Sequence, residues 1–239
     1  MNSLNILSGG AAQGLVASVA AKFRQQTWFD IAGEFGAVGV MADKLRAGAA
    51  TDCIILTRTL VAKLAEENLV LHSSISDVGS VETALAVRAG DPRLSVSNAD
   101  DLRAALLAAD AIYVPDTKAS TAGLHVAKVL DQLGIADAVA SHLKICQNGA
   151  TAMRELAASA AARPLGCTQS TEIIATKGVE LSGSLPRGYD LATTYTAGVT
   201  AQSSYAKPAR ALIELLISAE AAPLRAQAGF LAGAGSPPC

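Results

Sequence analysis

The chain has 239 residues, with 19 basic and 21 acidic side chains and a formal charge of -2. That balance, with no basic run interleaved with aromatics, excludes a nucleic-acid-binding face. Hydrophobic residues make up 51% and aromatics 4%, yet no stretch holds the roughly 20 uninterrupted apolar residues of a membrane span, which excludes helical membrane insertion. Met1-Asn2-Ser3 runs directly into an apolar segment with no basic region, long apolar core or cleavage site before it. As a native start this predicts a cytoplasmic protein, and a periplasmic one if a leader has been removed.

Short apolar runs alternate with Ala-rich amphipathic segments. A strand over Leu4–Leu7 leads to a helix over Gln13–Phe23, a strand over Trp28–Phe35 to a helix over Val40–Arg46, and a strand over Asp52–Leu56 to a helix over Leu60–Glu67. This βαβα rhythm predicts a mainly parallel sheet. A strand over Thr83–Arg88 then meets the turn Ala89-Gly90-Asp91-Pro92, and Asn98 or Asp100 caps a helix running to Ala109. The rhythm resumes with a strand over Ala111–Val114, a loop over Pro115–Ser120 and a helix over Thr121–Leu133, stopped by Gly134. Next come a strand over Leu143–Cys146, a helix over Ala150–Ala162, a strand over Leu165–Thr168 and a loop over Lys177–Gly188. An apolar run over Thr193–Val199 precedes a last helix over Ala209–Ile217, and the tail Gly233–Cys239 reads as frayed. The length suits either a single large α/β sheet or two interleaved lobes, and needs neither disulfide nor metal to hold it.

Two glycine-rich turns follow the first two strands. Ser8, Gly9, Gly10 and Ala11 in one, and Ala37, Val38 and Gly39 in the other, would offer backbone N–H groups to an anion, or else simply make tight turns. Neither G-x-G-x-x-G nor a Walker pattern is present, so no nucleotide cofactor is implied. Arg58 after the third strand and Arg88 at the end of a later one can each grip a carboxylate bidentately or form a surface salt bridge. Ser120 and Thr121 precede a helix, as cap or as anion ligands, with Lys118 close by in sequence. Gln169 follows an apolar strand and has a donor and an acceptor for an organic ligand. Glu172 reads as a helix N-terminal carboxylate or a catalytic one, and His125 as a packed or a functional imidazole. The cysteines, Cys53, Cys146, Cys167 and Cys239, have no C-x-x-C pair, and with three histidines no metal site is expected.

The segments LNILSGGAAQGLVASVAAKF, EFGAVGVMADKLRAGAATDCIIL, AGLHVAKVLDQLGIADAV and ARALIELLISAEAA together resemble the molybdate-binding-protein group of solute-binding proteins, from about residue 4 to residue 230. Its most recognisable stretch is the helix-to-strand turn Leu45–Asp52. The resemblance implies an α/β type II periplasmic-binding-protein fold, two α/β lobes with a ligand cleft between them. On this expectation residues 1–82 and 198–239 form one lobe and 83–197 the other. In that group, hydroxyls and a tyrosine hold the oxyanion; the matching positions here are Ala11, Val38 and Gln169, so molybdate loses its donors.

The expected ligand is therefore a small organic polyanion, a di- or tricarboxylate, held by the two loops with Arg58, Arg88, Ser120, Thr121 and Gln169. The group includes aconitate-isomerase-like relatives, which implies a cofactor-free 1,3-proton shift moving a C=C bond. Its charge would be stabilised by the arginines, and its base would be Glu172, Lys118 or His125. The alternatives are a solute-binding protein of an ABC importer for a carboxylate or an oxyanion such as molybdate, and a cytosolic sensor. A monomer is expected, with an ABC permease as partner only if the chain is exported.

Overall fold

The structure is a computed structural model that describes Asn2 to Leu231. The tail expected to fray, with Cys239, lies outside these residues. In chain order the elements are β1 (Asn2–Gly9), a 3-10 turn (Gly10–Ala12), α1 (Gln13–Thr27), β2 (Phe29–Gly36), α2 (Val38–Arg46), β3 (Cys53–Thr57), α3 (Arg58–Glu66), β4 (Ser76–Arg88), α4 (Ala99–Ala108), β5 (Ala111–Pro115), α5 (Thr121–Gln132), α6 (Ala136–Val139), β6 (Leu143–Cys146), α7 (Gly149–Ala157), β7 (Pro164–Gln169), α8 (Ser170–Ala175), β8 (Val179–Ser184), β9 (Ala192–Val199), α9 (Ala206–Ile217) and α10 (Ala222–Gln227). They divide into two compact units, residues 2–81 with 193–231, and Glu82–Ala192. The chain passes from one to the other within β4 and returns at the start of β9.

In the first unit β1 lies between β2 and β3, both parallel to it, and β9 runs antiparallel to β3. Leu15, Val19 and Phe23 recur every fourth residue along α1 and are fully buried against this sheet's core, as an amphipathic helix requires. The Leu45–Asp52 turn has a structural cause: the buried Asp52 carboxylate accepts hydrogen bonds from the Asn5 N–H, the Ser203 hydroxyl and the Tyr205 N–H. One side chain thus ties β1, β3 and the entry to α9.

In the second unit β5 lies between β6 and β7, both parallel to it; β4 runs antiparallel to β7, and β8 antiparallel to β4. Two cores cover its faces. Leu85, Leu165 and Cys167 pack with Val126, Val129 and Leu130 of α5. Ala84 and Ala86 pack with Ala152, Met153 and Leu156 of α7.

Besides the short helices α6, α8 and α10, which the sequence reading did not place, three elements depart from it. The expected loop over Lys177–Gly188 contains β8, a half-buried edge strand whose polar composition gave no apolar run to detect. β4 begins at Ser76, through the polar stretch Ser76–Glu82, well before Thr83. α7 ends at Ala157, short of Ala162, and Arg88 donates to the Ser159 and Ala161 carbonyl oxygens beyond it, at 2.5 and 3.3 Å.

Candidate functional site

Parallel strands release their helices at one edge, and each unit has such an edge. In the first, Gly9 lies opposite Gly36, and Ser8 opposite Ile55. The starts of α1, α2 and α3 therefore emerge side by side. None of the three has a side-chain cap, their N-cap residues being Ala12, Ala37 and Thr57. By contrast α4 and α7 are capped by Asn98 and Asn148, which accept from Asp101 N–H and Thr151 N–H. At α1 the preceding 3-10 turn takes the first N–H, Gln13 donating to the Gly10 carbonyl; the starts of α2 and α3 present the positive end of the helix dipole, an arrangement suited to an anion.

The two glycine turns pack around an aromatic ring that sequence reasoning missed. A Cβ on Gly9 would stand 2.7 Å from the Tyr195 ring and 2.8 Å from Val38, so only glycine lets the ring lie on this loop. Tyr195 faces Thr57 across the β3–β9 pair; in the sequence it was one residue of an apolar run. Ala11 and Val38 are buried, Gly10 and Gly39 half-buried. Ser8 is fully buried and its hydroxyl donates to the Gly9 carbonyl at 2.9 Å, so it is engaged locally.

Arg58 opens α3 and holds a carboxylate as its chemistry suggested, but that carboxylate is the protein's own. Its Nε lies 3.1 Å from Asp77, its terminal nitrogen bonds the second oxygen, and the Thr196 hydroxyl donates to Asp77 at 2.6 Å. Partial burial works to raise the Asp77 pKa, but the Arg58 guanidinium and the Thr196 hydroxyl outweigh it and hold the carboxyl below its usual value. The pair is exposed, and exposed ion pairs contribute little to stability.

In the second unit the edge is formed by the ends of β5, β6 and β7. Thr83 pairs with Gln169 across β4 and β7, so their side chains share a face. Alternation from Leu85 and Cys167 puts them on the α5 side of the sheet. Gln169 is 3% exposed and Thr83 fully buried. Neither polar atom of the Gln169 amide, nor the Thr83 or Thr171 hydroxyl, has a hydrogen-bond partner among the described residues. An orphaned buried polar group costs roughly 1–3 kcal/mol, and the facing pair Gln169 and Thr83, with Thr171 two residues further along the chain, marks a place where something else supplies the partners.

Ser120 N-caps α5 without a side-chain bond. Before it, Asp116 accepts from the Lys118 and Ala119 N–H groups at 2.7 and 3.0 Å, and the Lys118 side chain is exposed. One turn into α5 from Thr121, the Nε2 of His125 lies 2.7 Å from the Tyr189 carbonyl oxygen. A carbonyl only accepts, so Nε2 carries the proton and Nδ1 keeps a lone pair in the neutral ring.

Glu172 belongs to the other face. Its carboxylate accepts from the Thr168 hydroxyl at 2.6 Å, and a Cβ on Gly149 at the start of α7 would stand 1.9 Å from its Oε2. Burial pushes its pKa up to about 7, against the opposing hydrogen bonds from Thr168 and the Gln169 backbone. It is a group inside the α7–α8 packing, away from the face that holds Gln169. Arg88 lies at the opposite end of the sheet from Gln169: Ala86 already faces Gly166, near the beginning of β7. There it bonds Asp91 and the carbonyls after α7.

The cysteines of the described residues carry no reactive signature. Cys53, Cys146 and Cys167 are free, and burial pushes the Cys53 and Cys167 thiols up to about 12. Among the described residues no group of three or more His, Cys, Asp or Glu side chains is placed to hold a metal, and no helix is long and apolar enough to cross a membrane.

Two α/β units, each with parallel strands, an antiparallel strand passing to or from its neighbour and helix starts gathered on one edge, define the type II periplasmic-binding-protein fold. Solved structures with this fold align over nearly the whole chain. The periplasmic molybdate-binding protein of Azotobacter vinelandii matches with a TM-score of 0.79 at 19% identity, covering 96% of this chain and 99% of that one. A sulfate-binding protein of Mycobacterium tuberculosis matches with a TM-score of 0.75 at 21% identity, covering 96% and 86%. Residues 4–231 match the family model for bacterial extracellular solute-binding proteins, and the chain belongs to that family. A curated relative, an aconitate isomerase from a Pseudomonas species, is 26% identical over 233 residues, 93% of this chain and 85% of its own length.

Proposed function

We propose that this protein is a binding protein for a small organic carboxylate, held by neutral donors rather than by arginine. The observation that carries the reading is the buried, unpartnered set of Gln169, Thr83 and Thr171. The uncapped start of α5, in the same unit, supplies the preference for negative charge. An organic ligand suits this set better than an inorganic oxyanion, because the Gln169 amide holds an acceptor as well as a donor and both are buried without a partner. Arg58 and Arg88 take no part in this reading, since each is matched by protein oxygens. The family's description as extracellular favours a site of action outside the cytoplasm, with an ABC permease as the natural partner.

A thermal-shift screen tests this directly. At a hundredfold excess over Kd a ligand adds about 2.7 kcal/mol, about 5–10 °C for a chain of this size. Succinate, malate, citrate and tricarballylate are expected to include such a stabiliser; stabilisation by molybdate, tungstate, sulfate or phosphate alone would sink the reading.

One observation favours a second reading, a proton-shift isomerase like the curated relative. His125 offers an oriented Nδ1 lone pair one turn from the start of α5, which is what a general base needs. Lys118 has no such orientation, and Glu172 lies on the other face. If the protein isomerises trans-aconitate, the recovered acid in deuterated water gains deuterium, and His125→Gln lowers the exchange rate about a hundredfold or more. Binding without exchange leaves the carrier function alone.

A further inference from the structure

We infer that the carboxylate bound here also carries a hydroxyl group, and that Gln169 is the residue that reads it; the inference rests on the proposed carboxylate site and narrows it. The two polar atoms of the Gln169 amide make different demands. Its nitrogen, like the Thr83 and Thr171 hydroxyls, can donate to an anionic oxygen, but its carbonyl oxygen can only accept. Turning the amide over exchanges the two atoms without removing the demand, because both are buried and unpartnered.

A fully ionised carboxylate, sulfate or molybdate offers acceptors alone and would leave the amide oxygen orphaned. An α-hydroxy acid offers both kinds of group side by side. Its hydroxyl donates to the Gln169 oxygen while its carboxylate accepts from the Gln169 nitrogen and from the Thr83 hydroxyl on the neighbouring strand. Thr83 faces Gln169 directly in the β4–β7 register, so the third contact needs no rearrangement of the sheet. A site built to bond a hydroxyl rejects the analogue that lacks it more strongly than an apolar pocket rejects a missing methylene, because the buried acceptor is left unpaired.

The test is a pair of matched titrations by calorimetry on the intact protein: malate against succinate, and citrate against tricarballylate. The hydroxylated member is expected to bind at least about tenfold more tightly, the loss of one buried hydrogen bond. In Gln169→Met that preference should shrink to about twofold or less. In Thr83→Val, which keeps shape and removes a donor to the carboxylate, both members should weaken while their ratio stays. This second variant keeps the test usable if Gln169→Met does not fold. Equal binding of hydroxylated and hydroxyl-free acids overturns the inference and leaves the carboxylate reading standing. Equal binding that tightens as pH falls also overturns it, assigning the donated proton to a ligand carboxyl. If no carboxylate binds and sulfate or molybdate does, both fall together.

Discussion

Replacing Gly149 with alanine is expected to destabilise the second unit by about 3 kcal/mol, the upper end of ordinary overpacking, and to lower the melting temperature by about 6–12 °C. Helix propensity alone predicts the reverse, since alanine is favoured over glycine in a helix by about 1 kcal/mol. The difference comes from what the new methyl meets: 1.9 Å to the Glu172 Oε2 and 2.3 Å to the Thr168 Oγ1. Both atoms are committed to each other, and the carboxyl is walled in by α7 and α8. A double-mutant cycle isolates the cause. Glu172→Ala should also destabilise on its own, by leaving a cavity and an unpaired Thr168 hydroxyl. Gly149→Ala combined with Glu172→Ala should cost about 2 kcal/mol less than the sum of the two. Additive urea-denaturation energies would mean that the carboxyl is not what the alanine strikes.

The sequence carried the fold further than it carried the site, for a physical reason. Apolar periodicity reports burial, and burial is high in β1, β3, β5 and β7, which the sequence reading placed. It is weak for β8 and the first half of β4, where isolated valines are set among half-buried polar residues. Site residues depend on partners distant in sequence. Arg58 was legible as a carboxylate-binding group, but nothing local indicates that Asp77 on β4 fills its fork. Arg88 was placed on the correct strand, yet the antiparallel register that puts it at the far end of β7 is a tertiary fact. Tyr195 on Gly9 and Gly149 under Glu172 are likewise contacts between segments. Gln169 stood out because a polar residue closes the buried run Pro164–Thr168, a signal that alternation alone does exhibit; its partnerless state required the structure.

Glu172 makes the stability of the protein fall as pH rises through the neutral range. The folded state holds its carboxyl near 7 against an ordinary 4.5 because burial disfavours the ionised form. Below pH 4.5 both folded and unfolded chains are protonated there and the contribution is fully present. Between 4.5 and about 7 the unfolded chain releases the proton while the folded one retains it, so stability drains away; above that range it is lost. The whole effect is on the order of 3 kcal/mol. Glu172→Gln keeps a carbonyl oxygen to accept from Thr168 and has no proton to lose, so urea midpoints measured at pH 5 and pH 8 should fall in the wild type and change far less in the variant. Glu67, Asp77 and Asp110 are shifted downward, and their contributions are lost only at pH values below this window. Parallel profiles for the two proteins would show that Glu172 is already ionised in the fold. That outcome would make its charge a helix-dipole contact beside the start of α7, on the face of the sheet opposite Gln169.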